Sequence, residues 1–203
     1  MRTIVLVEGT TDELALTLAA RRLGRDLHAE GVSIVPINGV HAIGRALRRL
    51  ADEEPRATIA GLYDVGEERV IRAALERAGR GTGLDRPGLE RLGFFACSAD
   101  LEDELVRAAG TTVLSKLIET EGDARAWHTF GLQQAWQGRP MERQFRRFIR
   151  SVSSRNGRYI RAIVETIEPA LLPRPLRLLL DYVEPRRLAG EEAAAEEPDP
   201  DPD

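Results

Sequence analysis

Four short apolar runs, residues 3–7, 32–37, 58–63 and 93–98, alternate with helical segments over the first half of the chain. Short apolar runs without polar alternation suit strands covered on both faces, the situation of a parallel sheet. Between them the pattern predicts helices from Thr11 or Asp12, either of which can cap an N-terminus, to about Gly24, then over 42–50, over 66–78 and from Asp100 to about Ala108. Residues 79–88 read as a Gly-rich loop. Strands alternating with helices imply βαβ units with right-handed crossovers. The expected fold class is therefore α/β: a Rossmann-like parallel four-stranded sheet flanked by helices.

After Gly110 the strand signals stop. Helices are predicted over 113–121, 125–136, 141–151, 159–168 and 176–182, punctuated by Pro140, Pro169, Pro173 and Pro175. This gives an expected division into an α/β domain over 1–109, a helical C-terminal extension over 110–188, and a tail over 189–203. The tail carries seven acids, no base and few large apolar groups, a composition expected to be disordered.

That tail also distorts the charge balance. The chain has a formal net charge of −4, and setting aside the tail's seven acids leaves the remainder net positive. Nearly all the positive charge is arginine, since Lys116 is the only lysine. Arginine suits bidentate contact with phosphate, so composition permits a nucleic-acid partner. No run approaches the roughly 20 apolar residues of a membrane helix. The N-terminus meets Glu8 after four apolar residues, Ile4 to Val7, too few for a secretory signal. The expected address is the cytoplasm, with no membrane partner. A lone cysteine, Cys97, excludes an internal disulfide and a Cys-based zinc site, and its apolar strand marks it as a packed hydrophobe.

Carboxylates gather where the strands end. Glu8 closes the first strand, with Asp12 one helical turn on. Asp64 closes the third, followed by Glu67 and Glu68. Asp100-Leu101-Glu102-Asp103-Glu104 follows the fourth. Ligands of open α/β sheets bind beyond the carboxyl ends of the strands, so these groups can converge. Converging carboxylates repel unless a proton or cation neutralises them, and all-oxygen ligation suits Mg2+ or Mn2+. One or two such ions could activate water for phosphodiester cleavage. Taken singly, Asp12, Glu67, Asp100 and Asp103 are explained as helix-start acids. Glu8 and Asp64 are not.

At these residues the chain resembles a Toprim domain, the topoisomerase–primase fold, of the overcoming-lysogenization-defect (OLD) nuclease type. Val7-Glu8-Gly9-Thr10-Thr11-Asp12-Glu13-Leu14-Ala15-Leu16 is similar to that group's opening motif. Ile34 to Gly39 resembles its second strand and glycine turn, Gly61-Leu62-Tyr63-Asp64 its G-L-x-D, and Leu101-Glu102-Asp103-Glu104-Leu105 its L-E-x-x-L. The resemblance spans roughly residues 2–106, with weaker similarity over 151–180. It implies a divalent-metal-dependent nuclease that nicks or cleaves DNA, with RNA as the other nucleic-acid option. Glu8, Asp12, Asp64, Glu67 and Glu102 become candidate metal ligands, and Glu8 and Asp64 candidate catalytic residues, with Glu8 also a candidate general acid–base.

The chain departs from the family pattern twice. Where the family has D-x-D, this chain has Asp64-Val65-Gly66, leaving Glu67 or Glu68 to substitute. Where the family uses a C-terminal lysine, residues 154–159 offer only Arg155 and Arg158, which become the candidates for neutralising phosphate charge. Relatives usually carry an ATPase domain ahead of the Toprim part; no Walker motif is present here, so any ATPase is expected to be a separate protein or absent. A homodimer is compatible with the sequence.

Residues 139–161 hold eight arginines against one acid, Glu142. On a helix Arg143, Arg146, Arg147 and Arg150 share one face, and Phe145, Phe148, Ile149 and Val152 another. The arginine face is the candidate nucleic-acid contact; the bland reading is a solvated or ion-paired face. His41 follows the Asn38-Gly39 turn and can face the metal pocket. Two competing functions remain: a catalytically weakened Toprim module that binds nucleic acid or a partner ATPase without cleaving, and small-molecule phosphoryl transfer.

Overall fold

The computed structural model describes residues 2–185; the acidic stretch over 189–203 lies outside the described residues. Strands β1 (Thr3–Val7), β2 (Val32–Pro36), β3 (Thr58–Asp64) and β4 (Phe94–Cys97) are all parallel and pair in the order β2-β1-β3-β4. This order makes β1 and β3 central neighbours, with Leu6 opposite Gly61. Their carboxyl ends, where Glu8 and Asp64 stand, are therefore side by side.

Alternation along each strand sorts side chains onto two faces. Ile4, Leu6, Ile59, Tyr63 and Phe94 point into a core shared with α2 (Ile43–Glu53), α3 (Glu68–Arg77) and α4 (Arg86–Arg91). Val5, Val7, Ala60, Leu62, Phe95 and Cys97 point into a larger core shared with α1 (Thr10–Arg22) and the helices after β4. Helix α4 lies partly inside the segment read as a Gly-rich loop. Asp85 caps it by accepting a hydrogen bond from the Gly88 N–H at 2.8 Å, and Pro87 sits in its first turn. The glycines before it and Gly88 within it hid this short helix.

Helix α5 (Leu101–Thr120) opens with Asp100, whose carboxylate accepts from the Asp103 N–H at 2.7 Å. Gly110, at φ 67°, kinks it into two segments. Helices α6 (Ala124–Gly131), α7 (Met141–Arg150), α8 (Ser153–Thr166) and α9 (Arg174–Tyr182) follow. Two of these differ from expectation: α6 stops at Gly131, and α8 starts at Ser153, six residues before the predicted start at Tyr159. The Arg-Asn-Gly-Arg stretch that reads as a loop is helical.

These helices are not a separate body. Helix α8 packs on α1 and α5, and α7 packs on α5. Phe145, Phe148 and Ile149 of α7 are buried as their spacing implies, whereas Val152, expected beside them, precedes α8 and is exposed. Phe145 meets Tyr159 edge-on at 5.1 Å, and Trp127 meets Phe148 at 5.3 Å. Each such aromatic contributes stability through burial, about 1.5–3 kcal/mol.

Helix α9 covers β4 and β3, with Tyr182 edge-on to Phe95 at 6.1 Å. The Tyr182 ring also presses on Gly93. That glycine has φ +83°, and a methyl there would stand 2.4 Å from a ring carbon. Gly93→Ala is therefore expected to cost about 2–4 kcal/mol, from the left-handed backbone and overpacking together. Urea denaturation checks this; a loss under about 0.5 kcal/mol, the size of an ordinary surface change, would show that α9 yields freely.

Candidate metal and phosphate site

The apolar pattern of β1 stops at Val7, so Glu8 emerges at the strand's end with an exposed side chain. The chain leaving β2 folds over it. Asn38 at φ 56° and Gly39 at φ 106° turn the backbone, and the Asn38 N–H donates to the Glu8 carbonyl at 2.9 Å. Gly9 then serves as the cap of α1. Asp12 stands three residues further on, and its carboxylate accepts from the Gly9 N–H at 2.9 Å. Asp12 thus closes the α1 start from inside the helix rather than capping it from outside.

Two acidic groupings share Glu8. In the first, Glu8, Asp64 and Glu67 each offer a carboxylate oxygen, and the three oxygens lie within 4.8 Å of one another. Glu67 reaches the group through the 3-10 turn Val65–Glu67 that follows β3. Of the two glutamates able to stand in for the missing aspartate, Glu67 joins the cluster. Glu68 instead pairs with Arg72 at 2.8 Å and Arg86 at 2.6 Å. The second grouping lines a cavity on the α1 side: Glu8, Asp12, Asn38, Asp100, Glu102 and Arg150.

Glu102 is 8% exposed, a buried acid in the first turn of α5. One of its oxygens accepts from Asn156 Nδ2 at 2.6 Å. The other lies 3.1 Å from Arg150 Nε, outside hydrogen-bond alignment, and is buried without a hydrogen bond.

The crowding shows in proton affinity. Burial, followed by the charges of Glu8, Asp100, Glu67 and Asp12, pushes the Asp64 carboxyl up to about 7. Burial raises Asp12 to about 6; the Gly9 N–H opposes this, and Glu8, Glu102 and Asp100 reinforce it. Glu67 is raised by burial and by Glu8, with His41 acting the other way. These carboxylates are held together at a cost in repulsion that a cation would relieve. An all-oxygen donor set with a buried, unbonded carboxylate oxygen fits Mg2+ or Mn2+.

The arginines divide into two sets. Arg146 pairs with Asp100 and, at 2.9 Å, with Asp103; Arg150 pairs with Asp100 at 3.3 Å and approaches Glu102. Arg143 and Arg147 are exposed and make no ion pair among the described residues. All four line a groove with Trp136 and Arg139, and Arg150 borders both this groove and the acidic cavity. Arg155 and Arg158 do not line that cavity. Arg155 pairs with Asp123 at 3.3 Å and stacks on Phe148, its guanidinium carbon 4.0 Å from the ring centre. Arg158 pairs with Asp123 and with Glu121 at 3.3 Å. The cause is the early start of α8: positions 155 and 158 share the face toward Asp123, which brings Asn156 to Glu102.

Sequence reasoning missed Asn156 and the contact of Arg150 with the acids. A Ser-Ser pair at 153–154 was the available signal for the true start of α8. Cys97 is buried, and burial pushes its thiol up, consistent with an inert packing residue.

Residues 1–56 match the family model described as overcoming lysogenization defect protein-like, TOPRIM domain. No curated protein shows a significant match to the sequence. Among solved structures, the C-terminal region of the Xanthomonas campestris pv. campestris OLD protein is similar with a TM-score of 0.70 and 22% identity, over 90% of this chain and 91% of that one. The C-terminal region of the Burkholderia pseudomallei OLD protein is similar with a TM-score of 0.68 and 20% identity, over 90% of this chain and 96% of that one. The chain thus opens with an OLD-like Toprim segment and has the fold of the C-terminal regions of OLD proteins.

Proposed function

We propose that the chain is a divalent-metal-dependent nuclease acting on DNA. The observation that carries this reading is the convergence of Glu8, Asp64 and Glu67 within 4.8 Å at the ends of the two central strands. A bound Mg2+ or Mn2+ supplies Lewis-acid stabilisation of phosphoryl oxygens and a water acidified toward neutral pH. Glu8, Asp64 and Glu67 would hold it, and Asp12 and Glu102 would offer further oxygens. Glu8, the exposed member, is placed to accept a proton from water at the rim. Arg143 and Arg147 carry charge available for backbone phosphates, and Arg146 and Arg150 continue that surface to the acids.

The test is conversion of supercoiled plasmid to nicked circles with Mn2+ or Mg2+, abolished by EDTA. No conversion with either ion counts against the nuclease reading. The arginine face has its own test. In Arg143→Ala/Arg147→Ala, DNA affinity is expected to fall about tenfold or more at low salt. The dependence of log Kd on log salt should become shallower by up to about two units, one for each phosphate no longer neutralised. Unchanged affinity and slope would place the DNA elsewhere.

A second reading has one specific observation in its favour. Arg146 and Arg150 already engage Asp100 and Glu102. With only Asp64 of the D-x-D pair present, a Toprim module that binds nucleic acid or a separate ATPase without cutting is the alternative. DNA binding without calorimetric uptake of Mn2+ would select it.

A further inference from the structure

Resting on the metal reading above, we propose that Asn156 is a positioning residue that fixes Glu102 as an anionic ligand in the acidic cavity. Asn156 comes from α8 and Glu102 from the first turn of α5, 54 positions apart in the chain, yet Nδ2 and Oε1 are 2.6 Å apart. A carboxylate only accepts, so the amide nitrogen must face Glu102 and the amide oxygen must point away. The hydrogen bond therefore sets the orientation of both side chains.

The oxygen left over on Glu102, which lines the acidic cavity, points to an occupant. Glu102 Oε2 and Asn156 Oδ1 are both buried and both lack a hydrogen bond. Buried acceptors are rarely left without a partner. Of the first-turn N–H groups of α5, that of Asp103 is taken by Asp100. Arg150 Nε stands 3.1 Å from Glu102 Oε2 without hydrogen-bond alignment, on a side chain that is 51% exposed and so able to move. Asn156 holds the carboxylate through a neutral donor. A lysine or arginine in its place would neutralise the group that a cation needs. The geometry thus keeps Glu102 oriented, with one buried oxygen that has no hydrogen bond and faces only the mobile Arg150 guanidinium, a ligand position that a hard cation would complete.

The experiment is titration of the full chain with MnCl2, followed by calorimetry and by the electron-spin signal of free Mn2+, alongside thermal melts. Asn156→Ala is expected to weaken Mn2+ binding about tenfold or more. Because Asn156 acts through Glu102, the loss should vanish in a Glu102→Gln background: the double variant binds as Glu102→Gln alone does. If Asn156→Ala melts too low to titrate, Asn156→Ser carries the same comparison. Unchanged Mn2+ affinity in the single variant, with uptake by the parent chain intact, overturns the positioning role alone. Multiplicative losses in the double variant also overturn it, since they mark a general structural defect. No uptake by the parent chain overturns the metal reading and this role together.

Discussion

Replacing Glu8 with glutamine is expected to lower Mn2+-dependent nicking at least about a hundredfold, the scale of losing a positioned acid–base group. Asp64→Asn is expected to do the same. Both changes keep side-chain shape while removing one of the charges that meet within 4.8 Å. The melts make the test discriminating. Because the site gathers repelling carboxylates, removing one should leave the metal-free protein at least as stable as its parent. Lost activity with an equal or higher melting temperature therefore separates chemistry from unfolding. Nicking retained by both variants would assign the activity to another site or another protein.

Without metal, stability at the acidic rim should fall as pH rises. An unfolded aspartate releases its proton near its ordinary value of 3.8, whereas Asp64 in the folded chain holds it to about 7. The folded form thus binds the proton more tightly. Its contribution is fully present below about pH 4 and is lost as pH rises through about 7, the reverse of an ion-paired aspartate. Asp12 acts in the same direction up to about pH 6. At about 1.4 kcal/mol per pH unit, reduced because Asp64 is only partly buried, the loss from Asp64 is of the order of 2 kcal/mol. In EDTA, Asp64→Asn should match the parent at about pH 3.5 and exceed it by about that amount at pH 8, measured by urea denaturation. In the parent, Mn2+ should raise the melting temperature more at pH 8 than at pH 5, since binding must displace any proton held there. A difference between variant and parent that stays constant across this range would mean that Asp64 holds its proton no more tightly folded than unfolded.

The central part of this site was legible because two signals coincide there. The apolar runs that make β1 and β3 stop at Glu8 and Asp64, and the topology of a parallel sheet sets such strand ends together. The i, i+3, i+4, i+7 spacing likewise put Arg143, Arg146, Arg147 and Arg150 on one face. What those faces meet was not legible, because it depends on how helices dock. The ion pairs of Arg146 and Arg150 with Asp100 arise only when α7 lies on α5. Asn156 was hidden more thoroughly: an Asn-Gly pair between arginines has the local preferences of a turn, and packing on α1 and α5 overrides them. Glu67 needed the 3-10 turn after β3, which a two-residue spacing rule does not anticipate. Asp12 was ambiguous between capping and ligation, and it does hold the helix start while facing the cavity.

Arg150 borders two regions of opposite sign, a groove of guanidinium groups on one side and a bowl of carboxylates on the other. On the proposed function, a polyanion lying in the groove is drawn forward as far as Arg150 and then meets an electrostatic wall. A cation in the bowl would let a phosphate cross it. On that reading the boundary would register the strand, setting which phosphate reaches the acids by its distance from Arg150.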